Sequence, residues 1–336
     1  MKNLKKIAML VAGLFSIALL AATIFVVWAL TTFDSRMQFP DVPRPDLKAV
    51  TDPVVIARGK YLVHGPAHCS QCHSGADRDH PELVHTTPLH GGLEFAMGPI
   101  ATTYGRNLTP DPETGIGKIS DGDLARTLRT GVDHKGTLSF FMTAAASKPS
   151  DDDIVAIISY LRSLAPLQKQ IATGEWKPFG KILMSTTKLG PSREPAPAVA
   201  PPAETVSIER GKYLAKNIML CSGCHTPFDM GSFASVGPEA SGSLPDPSHG
   251  KDEGMEFVAP NLTSDPSGIT GKWSEDQFVL RLKKGRAYPS SIMPWEGFQA
   301  TTETDLRSVY QYLKSLPPIK NDLGPSYRKV GWKPQS

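Results

Sequence analysis

Apolar and polar positions follow two different regimes along this chain. From Ile7 to Leu30 no charged residue occurs and most positions are Ala, Leu, Ile, Val or Phe, a run long enough to cross a hydrocarbon layer of about 30 Å as one helix. Beyond it the apolar positions become periodic. Ile154, Ile157, Ile158 and Leu161 follow the i, i+3, i+4, i+7 spacing of an amphipathic helix, and Asp151 to Asp153 place negative charge at its positive N-terminal end. Leu306, Val309 and Leu313 repeat that stripe. Ser120 to Asp123 and Ser274 to Gln277 have capping-box spacing, and behind them Leu124 with Leu128, and Phe278 with Leu282, lie one helical turn apart. Asp52-Pro53 sets a capping side chain before a proline at the first helical position, which predicts a helix ending near Leu62. No stretch alternates convincingly with period two, so the expected fold class is all-α.

Charge sharpens the reading of the first run. Lys2, Lys5 and Lys6 precede it and the first acidic residue is Asp34, so the positive-inside rule puts the short N-terminus in the cytoplasm and everything from about Asp34 outside. In a bacterium that is the periplasm. A cleaved signal peptide is the rival reading, but its apolar region would run about 7 to 15 residues and this one is about twice as long. An uncleaved anchor in the inner membrane over residues 1–33 is therefore expected. The net charge of +3 is accounted for by those three lysines, which leaves no basic patch to argue for and no nucleic-acid partner. With 40% apolar residues among 336, close to the globular norm of about 45%, neither a fully embedded nor a wholly disordered chain fits. The 29 glycines and 30 prolines predict short elements joined by much loop.

The chain also repeats itself. Arg58-Gly59-Lys60-Tyr61-Leu62 recurs 152 residues later as Arg210-Gly211-Lys212-Tyr213-Leu214, and Cys69-Ser70-Gln71-Cys72-His73 recurs in the same register as Cys221-Ser222-Gly223-Cys224-His225. Gly92 to Phe95 matches Gly254 to Phe257, and Asn107-Leu108-Thr109 matches Asn261-Leu262-Thr263. Each half closes on the same pattern, with Tyr160 to Leu164 answering Tyr312 to Leu316 and Trp176-Lys177-Pro178 answering Trp332-Lys333-Pro334. A period near 155 residues is too long for a solenoid and reads as a duplicated domain, residues 52–178 and 207–334. Residues 179–206 form a Pro/Ala-rich linker, in which Pro191, Pro195, Pro197, Pro201 and Pro202 favour extended polyproline at about 3 Å per residue.

Two thiols two residues apart, followed at once by His, are the attachment signature of c-type haem. Cys69 and Cys72, and Cys221 and Cys224, can each add to the two vinyl groups of one porphyrin, which leaves His73 and His225 as proximal iron ligands. Two covalently bound haems are expected. A thioredoxin-like dithiol would need a βαβ context that is absent, and a four-cysteine zinc site would leave both histidines unexplained. For the sixth ligand a methionine thioether raises the potential. Met293 lies 68 residues beyond His225, and Met142 lies 69 beyond His73. His134 rivals Met142, since Thr143 replaces the proline that follows Met293. Met97, Met184, Met219, Met230 and Met255 read as core filler, while His64, His68, His80, His85, His90 and His249 have no counterpart in the other repeat and read as loop residues. Asn107 and Asn261 satisfy the glycosylation pattern, but their repetition points to packing or hydrogen bonding. Helix packing is the plain explanation for Arg58, Arg210, Tyr61 and Tyr213, with a haem propionate contact as the other.

The paired Cys-x-x-Cys-His motifs, the block from Asn107 to Gly117, and Met293-Pro294 before the last helix give the chain a family resemblance. It resembles the bacterial multihaem cytochrome c subunits of periplasmic alcohol, aldehyde and sugar-acid dehydrogenases, over roughly residues 53 to 334. Those subunits typically carry three haem domains, whereas this chain has two. The resemblance implies two tandem cytochrome c domains after one transmembrane helix, in each of which the first and last helices cross near the haem edge. It implies no catalytic residues. The expected role is to relay single electrons from a dehydrogenase or quinol-oxidising complex to another cytochrome or an oxidase. The alternative is a dihaem peroxidase or sulfur-compound oxidase, with an open or unusually ligated first haem.

Overall fold

The computed structural model describes residues 2–76, 80–144, 149–187, 190–191, 200–229, 234–243, 246–247, 254–288 and 291–333. Pro195, Pro197, Met230, His249 and Pro334 lie outside the described residues. Helix α1 (Lys2–Arg36) contains the uncharged run, and its side chains from Ile7 to Val27 are mostly exposed. It is long and apolar enough to cross a membrane. At 35 residues and about 1.5 Å per residue it exceeds a hydrocarbon layer of about 30 Å, and its last turns pack on the rest of the chain. There Phe33 is 1% exposed and tilts against Trp176 at 5.2 Å between ring centres. The helix thus runs past the expected boundary at residue 33.

The first half continues with α2 (Pro53–His64), α3 (Ser70–His73), α4 (Asp121–Thr130), α5 (Phe140–Ala144), α6 (Asp151–Ser163) and α7 (Pro178–Ser185). The second supplies α8 (Ile208–Tyr213), α9 (Cys221–His225), α10 (Ile269–Lys272), α11 (Glu275–Lys284), α12 (Trp295–Ala300) and α13 (Glu303–Ser315). Directly after α8, Leu214–Ile218 continues as a wider π turn. The caps read from sequence form. Asp52 accepts from the Val54 amide, Ser120 from that of Asp123, and Ser274 and Gln277 make the full reciprocal box. Ile154, Ile157, Ile158 and Leu161, and likewise Leu306, Val309 and Leu313, are buried.

Two expectations need correction. Residues 179–185, assigned to the linker, belong to α7, which packs on α1 through Met184 and an ion pair from Lys181 to Asp34. Short strands also occur where none was expected. β1 (Glu94–Ala96), β2 (Ala101–Tyr104) and β3 (Glu175–Trp176) make one antiparallel sheet; β4 (Phe228–Asp229) pairs with β5 (Ala234–Ser235); and β6 (Asp246–Pro247), β7 (Met255–Phe257) and β8 (Tyr327–Lys329) make a third. At two to four residues each, they are too short to show an alternating pattern.

In both halves the opening helix crosses the closing helix at a glycine. A Cβ on Gly59 would lie 1.9 Å from the Ala156 carbonyl oxygen, and one on Gly211 would lie 1.8 Å from that of Ser308. The neighbours of each glycine then tie the crossing down. Arg58 donates from Nε to Asp153 at 2.9 Å and Arg210 from Nε to Asp305 at 2.8 Å, each with a second bond from Nη2. The tyrosines two positions after the glycines reach into the opposite half. Tyr61 donates to Asp305 at 2.6 Å and Tyr213 to Asp153 at 2.7 Å. Burial, together with the carboxylate across the joint, holds each phenol protonated well above its usual pKa. These four residues therefore build the joint between the halves.

Two outcomes follow. Gly211→Ala should destabilise the protein by about 1–3 kcal/mol through overpacking, more than the roughly 1 kcal/mol alanine gains in helix propensity. Its thermal midpoint should drop by several degrees, whereas Gly223→Ala, around which a Cβ meets nothing within 4 Å, should not change it. The Tyr61→Phe/Tyr213→Phe pair removes two bonds to charged acceptors, each contributing about 1.5–3 kcal/mol. Calorimetry should show the two halves unfolding in separated steps; one unchanged coincident transition would count against the joint.

Candidate functional site

Each Cys-x-x-Cys-His motif forms a single helical turn, α3 or α9, which brings thiols at i and i+3 onto one face. The chain enters each turn through a left-handed residue that is not glycine, His68 at φ 41° and Leu220 at φ 57°. Such backbone is strained and persists where the surroundings over-determine it, commonly at functional positions. Here it swings the chain out of the opening helix into the motif. The Cys69 and Cys221 thiols are pushed up to about 12, first by burial and then by the neighbouring thiol of each pair. Both are held as protonated thiols at neutral pH.

The histidines are fixed identically. His73 Nδ1 lies 2.8 Å from the Arg106 carbonyl oxygen and His225 Nδ1 lies 2.8 Å from that of Pro260. A carbonyl only accepts, so Nδ1 carries the proton and Nε2 keeps its lone pair. Burial lowers both pKa values, which keeps the rings neutral. This is the arrangement of a metal-ligating imidazole whose second nitrogen is oriented by the backbone. The amides of Gly91 and Gly242, both at positive φ, donate to the carbonyls of these histidines. Two alkylatable thiols on one face and one oriented neutral imidazole are a donor set that fits covalent haem.

Each of these carbonyls directly precedes the repeated Asn-Leu-Thr block. Asn107 Oδ1 accepts from the amide and hydroxyl of Thr109, while its Nδ2 donates to the Leu167 carbonyl at 2.8 Å. Asn261 does the same with Thr263 and the Ile319 carbonyl. Both asparagines are buried, at 3% and 2% exposure, so the block ties this segment to the chain after the closing helix rather than offering a glycan site. The carbonyls of Arg106 and Pro260 were not named by sequence reasoning, because a backbone oxygen leaves no residue signature. Only the repetition of the next three residues pointed there.

Met293 is half-buried and packs on the core that also contacts Cys69 and Cys221. Met142 is half-buried on α5, where Thr143 sits so close to Gly131 that a Cβ there would be 2.3 Å from its hydroxyl. His134 is exposed in the turn closed by the Gly136 amide on the Asp133 carbonyl. Met184 and Met219 are core residues at 3% and 4% exposure. Of the histidines expected in loops, His68 and His85 contact the second half, while His64 is held within the first. His64 ends α2 and lies 2.8 Å from the Tyr160 hydroxyl, His68 packs edge-on against Phe298, and His85 Nε2 donates to the Glu296 carbonyl. Burial, with His85 alongside, pushes His64 down to about 4. Among the described residues no cluster of three or more His, Cys, Asp or Glu could hold a bare metal ion.

No family model matches the chain. It is 30% identical over 290 residues to the cytochrome c subunit of a quinone alcohol dehydrogenase from Gluconobacter oxydans, which covers 80% of this chain and 56% of that protein. The cytochrome c subunit of gluconate 2-dehydrogenase from Pantoea cypripedii is 28% identical over 279 residues, covering 78% and 59% respectively. The chain thus spans little more than half the length of these subunits. A dihaem c-type cytochrome from Cereibacter sphaeroides is 26% identical over 273 residues, covering 75% of this chain and 83% of that protein. The resemblance read from the motifs is borne out: this chain is a relative of the cytochrome c subunits of alcohol and gluconate dehydrogenases.

Proposed function

We propose that this protein is a membrane-tethered dihaem c-type cytochrome that relays single electrons on the periplasmic face of the bacterial inner membrane. The observation that carries the reading is the paired histidine geometry, in which a neutral imidazole with a tethered Nδ1 follows each thiol pair at the same place in both halves. Cys69 and Cys72 would hold one haem and Cys221 and Cys224 the other, with His73 and His225 as proximal ligands. Met142 and Met293 would complete the two sites. Bound haem supplies the one-electron chemistry, with a potential set by its axial ligands. The protein orients both imidazoles before binding, packs Cys69, Cys221 and Met293 against its apolar core and fixes the two halves to one another. With a histidine and a methionine of the chain holding each haem, no position would be left for substrate, and this would favour a carrier over an enzyme. Residues 52–178 and 207–334 act as the two haem domains, and α1 is the anchor.

The relatives' roles make a dehydrogenase the proposed donor. A quinol-oxidising complex is the other donor in keeping with the tether, and a second cytochrome or an oxidase is the acceptor. The test is spectroscopic. Protein extracted from membranes in detergent should carry two covalent haems per chain, with all four cysteines refractory to alkylation. Met293→Ala and Met142→Ala should each remove about half of the far-red band that reports thioether ligation of ferric iron. Retention of the full band in Met142→Ala, together with a high-spin ferric signal and turnover of peroxide or thiosulfate, would replace the carrier with the dihaem-enzyme reading.

A further inference from the structure

The loop that carries Met293 is held by one guanidinium. Arg286 directly follows Gly285, the positive-φ residue that ends α11. It donates from Nε to Glu296 Oε1 at 2.8 Å and from Nη2 to Oε2 at 2.9 Å. The same group donates to the Ser291 carbonyl and, at 3.4 Å, to the carbonyl of Met293 itself. Trp295 Nε1 donates to the Ser291 hydroxyl at 3.0 Å, and Arg281 stacks on the indole at 3.8 Å. The arginine and carboxylate side chains are 16% and 6% exposed, so their two-pronged pairing is largely withdrawn from water, where such pairs are most directional.

Glu296 has a further partner outside its own half. Gln71, which lies between the two thiols of the first motif, donates from Nε2 to Glu296 Oε2 at 2.9 Å. His85 donates to the Glu296 carbonyl at 2.9 Å, and Gly297 sits so close to the first motif's approach that a Cβ there would be 2.7 Å from the Gly65 carbonyl oxygen. The helix that follows Met293 is therefore seated on the attachment loop of the first site. Among the described residues the second motif makes no such bond to the first half's methionine loop. Gln71 corresponds to Gly223 in the second motif, and the position after the capping glycine Gly131 is Val132, fully buried in the cluster with Phe33.

We infer that Glu296 is a positioning residue which, with Arg286, fixes the Met293 loop and links it through Gln71 to the first haem-attachment helix. The strength with which the second site keeps its methionine is thereby set in part from the first site. This rests on the reading of Met293 as an iron ligand.

Added imidazole competes with a ligating thioether, so its affinity measures how firmly the methionine is held. The readout is the part of the far-red band that Met293→Ala removes, titrated with imidazole in the detergent-solubilised holoprotein. Glu296→Gln is expected to tighten imidazole binding at that site about tenfold and Gln71→Leu severalfold, with the rest of the band titrating as in the parent. Arg286→Lys should recover part of the parent behaviour, since a cation near Glu296 is kept. An unchanged imidazole affinity in Glu296→Gln overturns the positioning role, and an unchanged affinity in Gln71→Leu overturns the link between sites. If Met293→Ala leaves the far-red band whole, the ligand reading fails first, which separates the two failures.

Discussion

The structure depends on backbone meeting backbone where the opening and closing helices cross. At Gly59 and Gly211 the absent side chain lets one helix approach the carbonyls of the other more closely than any Cβ would permit. That approach sets the rest. It places the preceding arginine against the closing helix's aspartate, and it aims the tyrosine two positions on at the aspartate of the other half. A five-residue motif thus supplies a crossing, an ion pair and a joint. Arg210 and Asp305 are almost completely buried, at 1% and 2% side-chain exposure, a state tolerable only because the charges are paired and hydrogen-bonded. The phenol of Tyr61 gives that carboxylate its additional donor.

Much of this was legible in the sequence, and what was missed shares one physical origin. The caps, the buried stripes of α6 and α13, and the thiol–histidine motifs are local signals, in which residues a few positions apart act on each other. The apolar run of α1 is local too. Arg58, Arg210, Tyr61 and Tyr213 were seen to recur, yet their partners lie 60 to 244 positions away, and no periodicity reports a contact of that range. The histidine-bracing carbonyls of Arg106 and Pro260 were invisible because every residue has a carbonyl. Helix α7 was hidden because its eight residues abut the proline-rich spacer, whose composition dominated the window. His68 and His85 lacked counterparts in the second half, and that was read as freedom. It reflects instead that a joint between two similar halves need not use similar residues on both sides.

That last point bears on how a duplicated cytochrome could work. Two identical sites would hold an electron equally well, and nothing would favour its movement in either direction. Potentials of iron sites respond to axial ligands, hydrogen bonding beyond them, and burial. In this chain the thiol pairs, the histidines and their bracing carbonyls are the same in both halves. The surroundings of the two methionines differ. Met293 sits on a loop held by a buried ion pair, whereas Met142 lies on a short helix against Gly131 with no equivalent arginine at Val132. The first half additionally carries the neutral, half-buried His64 and the contact with α1 through α7. On the proposed function, the shared parts secure haem and the unshared parts separate the two potentials. Divergence after duplication would then act on the residues around the methionines, because a change at the thiols or histidines would cost the cofactor itself.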